Sequence, residues 1–174
     1  MDIASTRKMA ATAEADFSGL YQARFSDLAA QLYAFTGDPS ETHDLVQEAF
    51  LRAWQRWHTV GRYEDPVGWV RRVAWNLAMS RHRRLRLIRH WADHSQPAAA
   101  TAPTGPDRVV LVAALRKVPE QLRRALVLHY LADLSVADIA AETAVAEGTV
   151  KSWLHRGRTE LARHLSDYWE GGSR

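Results

Sequence analysis

The sequence predicts an all-α protein: two small helical domains joined by a flexible linker, the C-terminal one a helix-turn-helix. Three observations carry this. Apolar residues recur three or four positions apart over most of the 174-residue chain, without the alternation that marks strands. Residues 92–106 break the pattern with three prolines and no apolar face, so they read as a linker between domains at 14–91 and 107–170. Residues 132–161 read as two helices around a tight turn.

In the first domain Phe17, Leu20, Tyr21, Leu28, Leu32 and Phe35 form a helical stripe that stops at Gly37-Asp38-Pro39. Ser40 or Thr42 is expected to start a second helix. Its buried side would hold Val46, Ala49, Phe50, Ala53, Trp54 and Trp57, and its other side carries Asp44, Gln47, Glu48 and Leu51. Gly61–Pro66 signals a turn, and a long third helix follows through Val70, Val73, Ala74 and Leu77. There Trp69, Arg72, Asn76 and Arg83, spaced by three, four and seven, share one strip, with Arg71 and Trp75 on a neighbouring strip. Aromatics among arginines suit single-stranded nucleic acid, because unstacked bases need a π surface while the backbone needs positive charge. Each stacked base contributes about 1–3 kcal/mol. The competing reading places Trp69 and Trp75 in the core, where amphipathic helices usually bury aromatics.

In the second domain Val109–Val118 and Gln121–Leu131 are expected as helices around Pro119, which suits a helix start. Ser135 with Asp138 three residues later makes a capping box. After a break near Thr143–Ala146, Val150, Leu154, Leu161 and Leu165 recur at helical spacing with Gly157 among them, leaving Lys151, Ser152, His155 and Arg156 on one exposed face. A helix of this kind can lie in the major groove, its early residues at base edges and its basic residues at phosphates.

Net charge is only +3, but its distribution is uneven. Residues 14–57 carry seven acids against three arginines, and residues 62–91 carry eight arginines against two acids. One half with both an acidic and a basic face points to two partners, a cationic protein and a polyanion. The absence of cysteine excludes disulfides and thiolate metal sites and fits a reducing cytoplasm. No run of eighteen apolar residues exists and Met1–Ala15 has no apolar signal core, so a soluble cytoplasmic protein without membrane insertion is expected. The eight histidines show no metalloprotease spacing and no glycine-rich phosphate loop is present. No catalytic residue, metal ligand or cofactor is assigned.

Four motifs in order resemble a known family: Asp44-Leu-Val-Gln-Glu-Ala-Phe-Leu-Arg-Ala-Trp54, Pro66-Val-Gly-Trp-Val-Arg-Arg-Val-Ala-Trp-Asn-Leu-Ala78, Val118-Pro119, and Gly148-Thr-Val-Lys-Ser152. They are similar to those of extracytoplasmic-function sigma factors, within the sigma-70 family of bacterial RNA polymerase. The resemblance covers nearly everything except the first dozen residues and the linker. It implies a first domain (sigma region 2) that binds core polymerase at the β′ coiled coil and melts the −10 element. It implies a second (sigma region 4) that reads the −35 element beside the β flap, with the linker threading toward the RNA exit path. It assigns Asp44, Gln47, Glu48 and Leu51 to polymerase. It assigns Arg62, Tyr63, Trp69, Arg71, Arg72, Trp75, Asn76 and Arg83 to −10 DNA, and Thr149, Lys151, Ser152, His155, Arg156 and Arg158 to −35 DNA. An anti-sigma factor is a further candidate partner, and no extra C-terminal regulatory domain is expected. Two departures stand out: Trp153 where members often carry arginine, and Ala144 where the turn often has glycine. A left-handed residue there costs about 1 kcal/mol without glycine.

The alternatives are a stand-alone helix-turn-helix regulator and a helical adaptor that antagonises a sigma factor. The first needs a ligand pocket or receiver domain, for which the N-terminal half lacks the strands. The arginine-rich segment after Arg62 argues against the second.

Overall fold

The computed structural model describes residues 3–91 and 105–171, with side chains described for 12–87, 105 and 107–168. Among these residues it is all helical, without a strand: α1 Ile3–Thr36, α2 Pro39–Gln55, α3 Trp57–Val60, α4 Pro66–Trp91, α5 Pro106–Lys117, α6 Glu120–Tyr130, α7 Val136–Thr143 and α8 Glu147–Gly171. The expected linker lies outside the described residues except for Gly105, at the N-cap of α5, and Pro106, its first residue. The chain divides into two compact units, Met1–Ala29 with His43–Ala98, and Ala30–Thr42 with Ala99–Arg174.

Helix boundaries follow from local chemistry. Gly37 takes φ +71°, the left-handed value that ends α1 without a Cβ penalty. α2 starts at Pro39 rather than at Ser40 or Thr42. Asp38 is its cap, its Oδ1 accepting from the Glu41 backbone N–H at 3.0 Å, while proline at the first helical position supplies a preset φ. Thr42 is instead buried, and its hydroxyl sits 2.8 Å from that of Thr36. Trp57, expected on the buried side of the second helix, lies instead beyond the end of α2 at Gln55, in the single turn α3, Trp57–Val60.

In the first unit, Leu28, Leu45, Val46, Ala49, Phe50, Ala53, Val60, Val70, Ala74, Trp75 and Ala78 are buried. An aromatic cluster extends this core along α1: Phe17 lies 5.0 Å from Trp54 and 5.2 Å from Trp57, and Tyr21 lies 4.9 Å from Phe50, ring centre to ring centre. Trp54, expected on the buried side, is 44% exposed. Its ring closes the edge of the cluster against Phe17 and leaves its outer part to solvent.

In the second unit, α8 packs on α5, α6 and α7 around Val110, Val112, Leu115, Leu122, Leu126, Leu128, Ile139, Val150 and Leu154. The crossing is close at Gly157, where an added Cβ would lie 3.1 Å from Leu126 Cγ and 3.4 Å from the Leu122 carbonyl. The capping box forms as expected: the Asp138 N–H donates to Ser135 Oγ at 3.1 Å and the Ser135 N–H to Asp138 Oδ2 at 3.2 Å. Arg123 is a buried charge in this unit. Arg123 places its guanidinium carbon 4.6 Å from the centre of the Phe35 ring and donates weakly to the Arg116 carbonyl at 3.4 Å. Burial pushes its pKa down to about 10, with Glu120 pulling the other way and Arg116 adding to the depression. The aromatic face recovers part of the desolvation cost.

The turn between α7 and α8 is built without glycine. Ala144 itself adopts the left-handed conformation, φ 57° and ψ 43°, and its N–H caps the Ala140 carbonyl. Ala144→Gly should therefore raise unfolding free energy by about 1 kcal/mol, because the Cβ strain disappears. Urea denaturation measures this; an unchanged or lower midpoint contradicts the strain.

Candidate DNA and polymerase interfaces

On α2, the spacing of Asp44, Gln47, Glu48 and Leu51 puts them on one face, and the structure adds an apolar wall to it. Phe17 and Tyr21 from α1 join Phe50 and Trp54 to enclose a groove of ≈ 470 Å³ with those four residues. Leu51 is 49% exposed at its rim. Glu48 is half-buried and accepts from Arg52 Nε at 2.8 Å, so part of its charge is spent locally, whereas Asp44 is exposed. The sequence reading missed Phe17, Tyr21 and Trp54 as groove residues. The signal available was the i, i+4 run Phe17, Tyr21, Phe25, which extends the α1 stripe. An acidic rim over an aromatic floor fits a cationic amphipathic helix, read at i, i+3 and i+4 anchors.

α4 carries the second surface. Asp65 caps it, its Oδ1 accepting from the Gly68 N–H at 2.7 Å, and Pro66 occupies the first turn. A side chain at position 68 would overlap the Asp65 carboxylate, so glycine is required for this cap. Arg72, Asn76 and Arg83 are exposed along the helix, Trp69 is half-exposed, and Arg62 and Tyr63 are exposed in the preceding turn. Arg71 is half-buried. Trp75 is a correction. It is 0% exposed, on the side of Val70, Ala74 and Ala78, and has no face to offer a base. One helical step of 100° separates it from Asn76, and that step carries it into the core.

The third surface is the outer side of α8. Lys151, Ser152, His155, Arg156 and Arg158 are exposed, Thr149 is half-exposed, and Val150, Leu154 and Gly157 face inward. Trp153 is half-buried. Lys151 pairs with Glu147 at 3.8 Å, whereas Arg158 donates to the Tyr130 hydroxyl at 3.2 Å. Further along, Arg163 donates to Glu160 at 2.7 Å, and that bond and charge hold the Glu160 carboxyl below its usual range. The basic strip therefore ends before Glu160. Among the described residues no group of three or more His, Asp or Glu is placed to hold a metal, and no helix is long and apolar enough to cross a membrane.

Two family models match in order: sigma-70 region 2 over residues 20–94 and sigma-70 region 4 over residues 108–161. The ECF RNA polymerase sigma factor SigL of Mycobacterium tuberculosis is 34% identical over 157 residues, which cover 84% of this chain and 87% of SigL. The chain belongs to the ECF RNA polymerase sigma factors. Another ECF sigma factor, SigW of Bacillus subtilis, is 27% identical over 174 residues, 88% of this chain and 89% of SigW. Among solved structures, the sigma factor RpoE of Bartonella quintana, in complex with the anti-sigma factor NepR, superposes with a TM-score of 0.74. It is 24% identical over 87% of this chain and 97% of that RpoE chain, and so shares its fold. Within the sigma-factor matches, the α2 groove apart from Phe17 and the α4 strip fall in region 2, and the exposed face of α8 falls in region 4 through Leu161.

Proposed function

We propose that this sigma factor directs promoter-specific initiation through three surfaces. The α2 groove takes the β′ coiled coil of core polymerase, the α4 strip with the Arg62–Gly68 turn captures an opened −10 base, and α8 reads the −35 major groove beside the β flap. Asp44, Gln47, Glu48 and Leu51 make the polymerase contact, with Phe17, Tyr21, Phe50 and Trp54 as its floor. Trp69 stacks on a flipped base, Arg72 and Arg83 follow phosphates, and Asn76 offers an amide to a base edge. A stack is worth about 1–3 kcal/mol and helps offset the few kcal/mol of unpairing. Ser152, His155 and Arg156 meet base edges, while Thr149, Lys151 and Arg158 meet the backbone.

The observation that carries this reading is the order of the two family matches, each spanning an exposed basic strip, with an acidic groove beside the strip of the first. Domains at 14–91 and 107–170 around the 92–106 linker, work in the cytoplasm and control by an anti-sigma factor belong to the same proposal. The chemistry of RNA synthesis stays with the polymerase. A stand-alone regulator would have no use for the groove.

With core polymerase and a promoter fragment, the chain should make −10 thymines reactive to permanganate. Asn76→Ala should lose that reactivity while retaining −35 duplex binding; equal loss in both assays would mean misfolding and contradict the assignment. Arg156→Ala should weaken −35 duplex binding by about 1–3 kcal/mol, as for one bidentate guanine contact. Fluorescence anisotropy reads this directly, and intact −35 selectivity would remove Arg156 from the base-reading set.

A further inference from the structure

Tyr130 closes α6, a helix whose residues Leu122–Leu128 lie largely in the core, yet Tyr130 itself is 56% exposed. Its position is nevertheless held on both sides. Its ring lies 4.8 Å from that of His129 at 73°, an edge-on contact. The His129 Nδ1 is 2.9 Å from the Leu134 carbonyl, which can only accept, so Nδ1 carries the hydrogen. Leu134 immediately precedes Ser135, the N-cap of α7. At the other end the Tyr130 hydroxyl accepts from Arg158 on α8. A line of contacts thus runs from the start of the first helix of the helix-turn-helix to a guanidinium on the second.

We propose that Tyr130 is a positioning residue for promoter binding, holding Arg158 toward a backbone phosphate at the edge of the −35 groove. The inference rests on the reading of α8 as the −35 helix. An arginine side chain carries about 2 kcal/mol of rotamer entropy, and a tether formed before binding removes part of the ordering cost. The identity of the tether matters. Lys151 and Arg163 each face a carboxylate, which competes with phosphate for the cation. The Tyr130 oxygen is neutral, so Arg158 brings its whole charge to the DNA.

The test is a double-mutant cycle on −35 duplex binding by the full chain, repeated across salt concentrations. Tyr130→Phe removes only the hydroxyl from an exposed ring. It should leave thermal unfolding unchanged and weaken binding about fivefold, the worth of one such hydrogen bond. Its salt slope should match the parent's, because no charge is lost. Arg158→Ala should weaken binding further and lower the slope by about 0.9, one phosphate contact. Adding Tyr130→Phe to Arg158→Ala should then change nothing. Full affinity in Tyr130→Phe, or a loss that adds undiminished to that of Arg158→Ala, overturns the positioning role. If Arg156→Ala still weakens binding, the −35 reading survives that result; a parent chain that binds no duplex overturns both.

Discussion

Asp44→Arg combined with Glu48→Arg should weaken binding to core polymerase by about two orders of magnitude, since like charges brought together at an interface cost several kcal/mol. The groove makes this effect larger than an ordinary surface reversal. Both carboxylates border an apolar floor of Phe17, Tyr21, Phe50 and Trp54, where a facing cation is partly removed from water. The fold should tolerate the change. Glu48→Arg replaces the pair with Arg52 by a like-charge i, i+4 contact, worth only a few tenths of a kcal/mol. Binding to −35 duplex should therefore be unaffected. Surface plasmon resonance against immobilised core enzyme reads the loss, and an unchanged Kd would remove this groove from the polymerase interface. Trp54→Ala in the same assay separates the apolar floor from the charged rim, as a half-exposed tryptophan beside a groove is a typical hot spot.

The two tryptophans of α4 should part company when each is replaced by alanine. Trp75→Ala opens a cavity at a fully buried site and should cost about 3–5 kcal/mol, a large share of the total stability of a small domain. Trp69→Ala removes a half-exposed ring and should cost far less, yet abolish most permanganate reactivity at the −10 element. Thermal unfolding combined with footprinting separates the two. If Trp75→Ala unfolded no earlier than the parent, the core placement would be wrong; if Trp69→Ala opened promoters normally, base stacking would be.

This pair also shows where the sequence was readable and where it was not. Periodicity identified the inward faces of α1, α2, α4 and α8 through Leu28, Val46, Val70 and Val150, all of them buried. Ser135 and Asp138 marked the start of α7, because a capping box is chemistry between near neighbours in sequence. Asp38 was overlooked in favour of Ser40 and Thr42, as any of the three can cap and Pro39 decides between them. Trp54 and Trp75 were misplaced for a different reason. A helical wheel gives the angle of a residue but not the width of the partner surface, and that width decides whether an aromatic at the margin is covered. Trp75 falls within the core surface, and Trp54 falls at its edge against Phe17. The groove floor and the Tyr130 contact were out of reach for the same reason, since both join residues far apart in the chain. Ala144 illustrates the reverse: the usual glycine is missing, yet the turn is retained at the cost of local strain.

The central claim is that this chain alone confers promoter choice on a polymerase that lacks it. Run-off transcription with purified core polymerase and a genomic promoter library tests it most directly. Adding the chain should produce transcripts from a restricted set of promoters sharing a −35 and −10 pair, and Asp44→Arg with Glu48→Arg should remove all of them. Absence of any chain-dependent transcript across the library, or initiation without regard to promoter sequence, would contradict it.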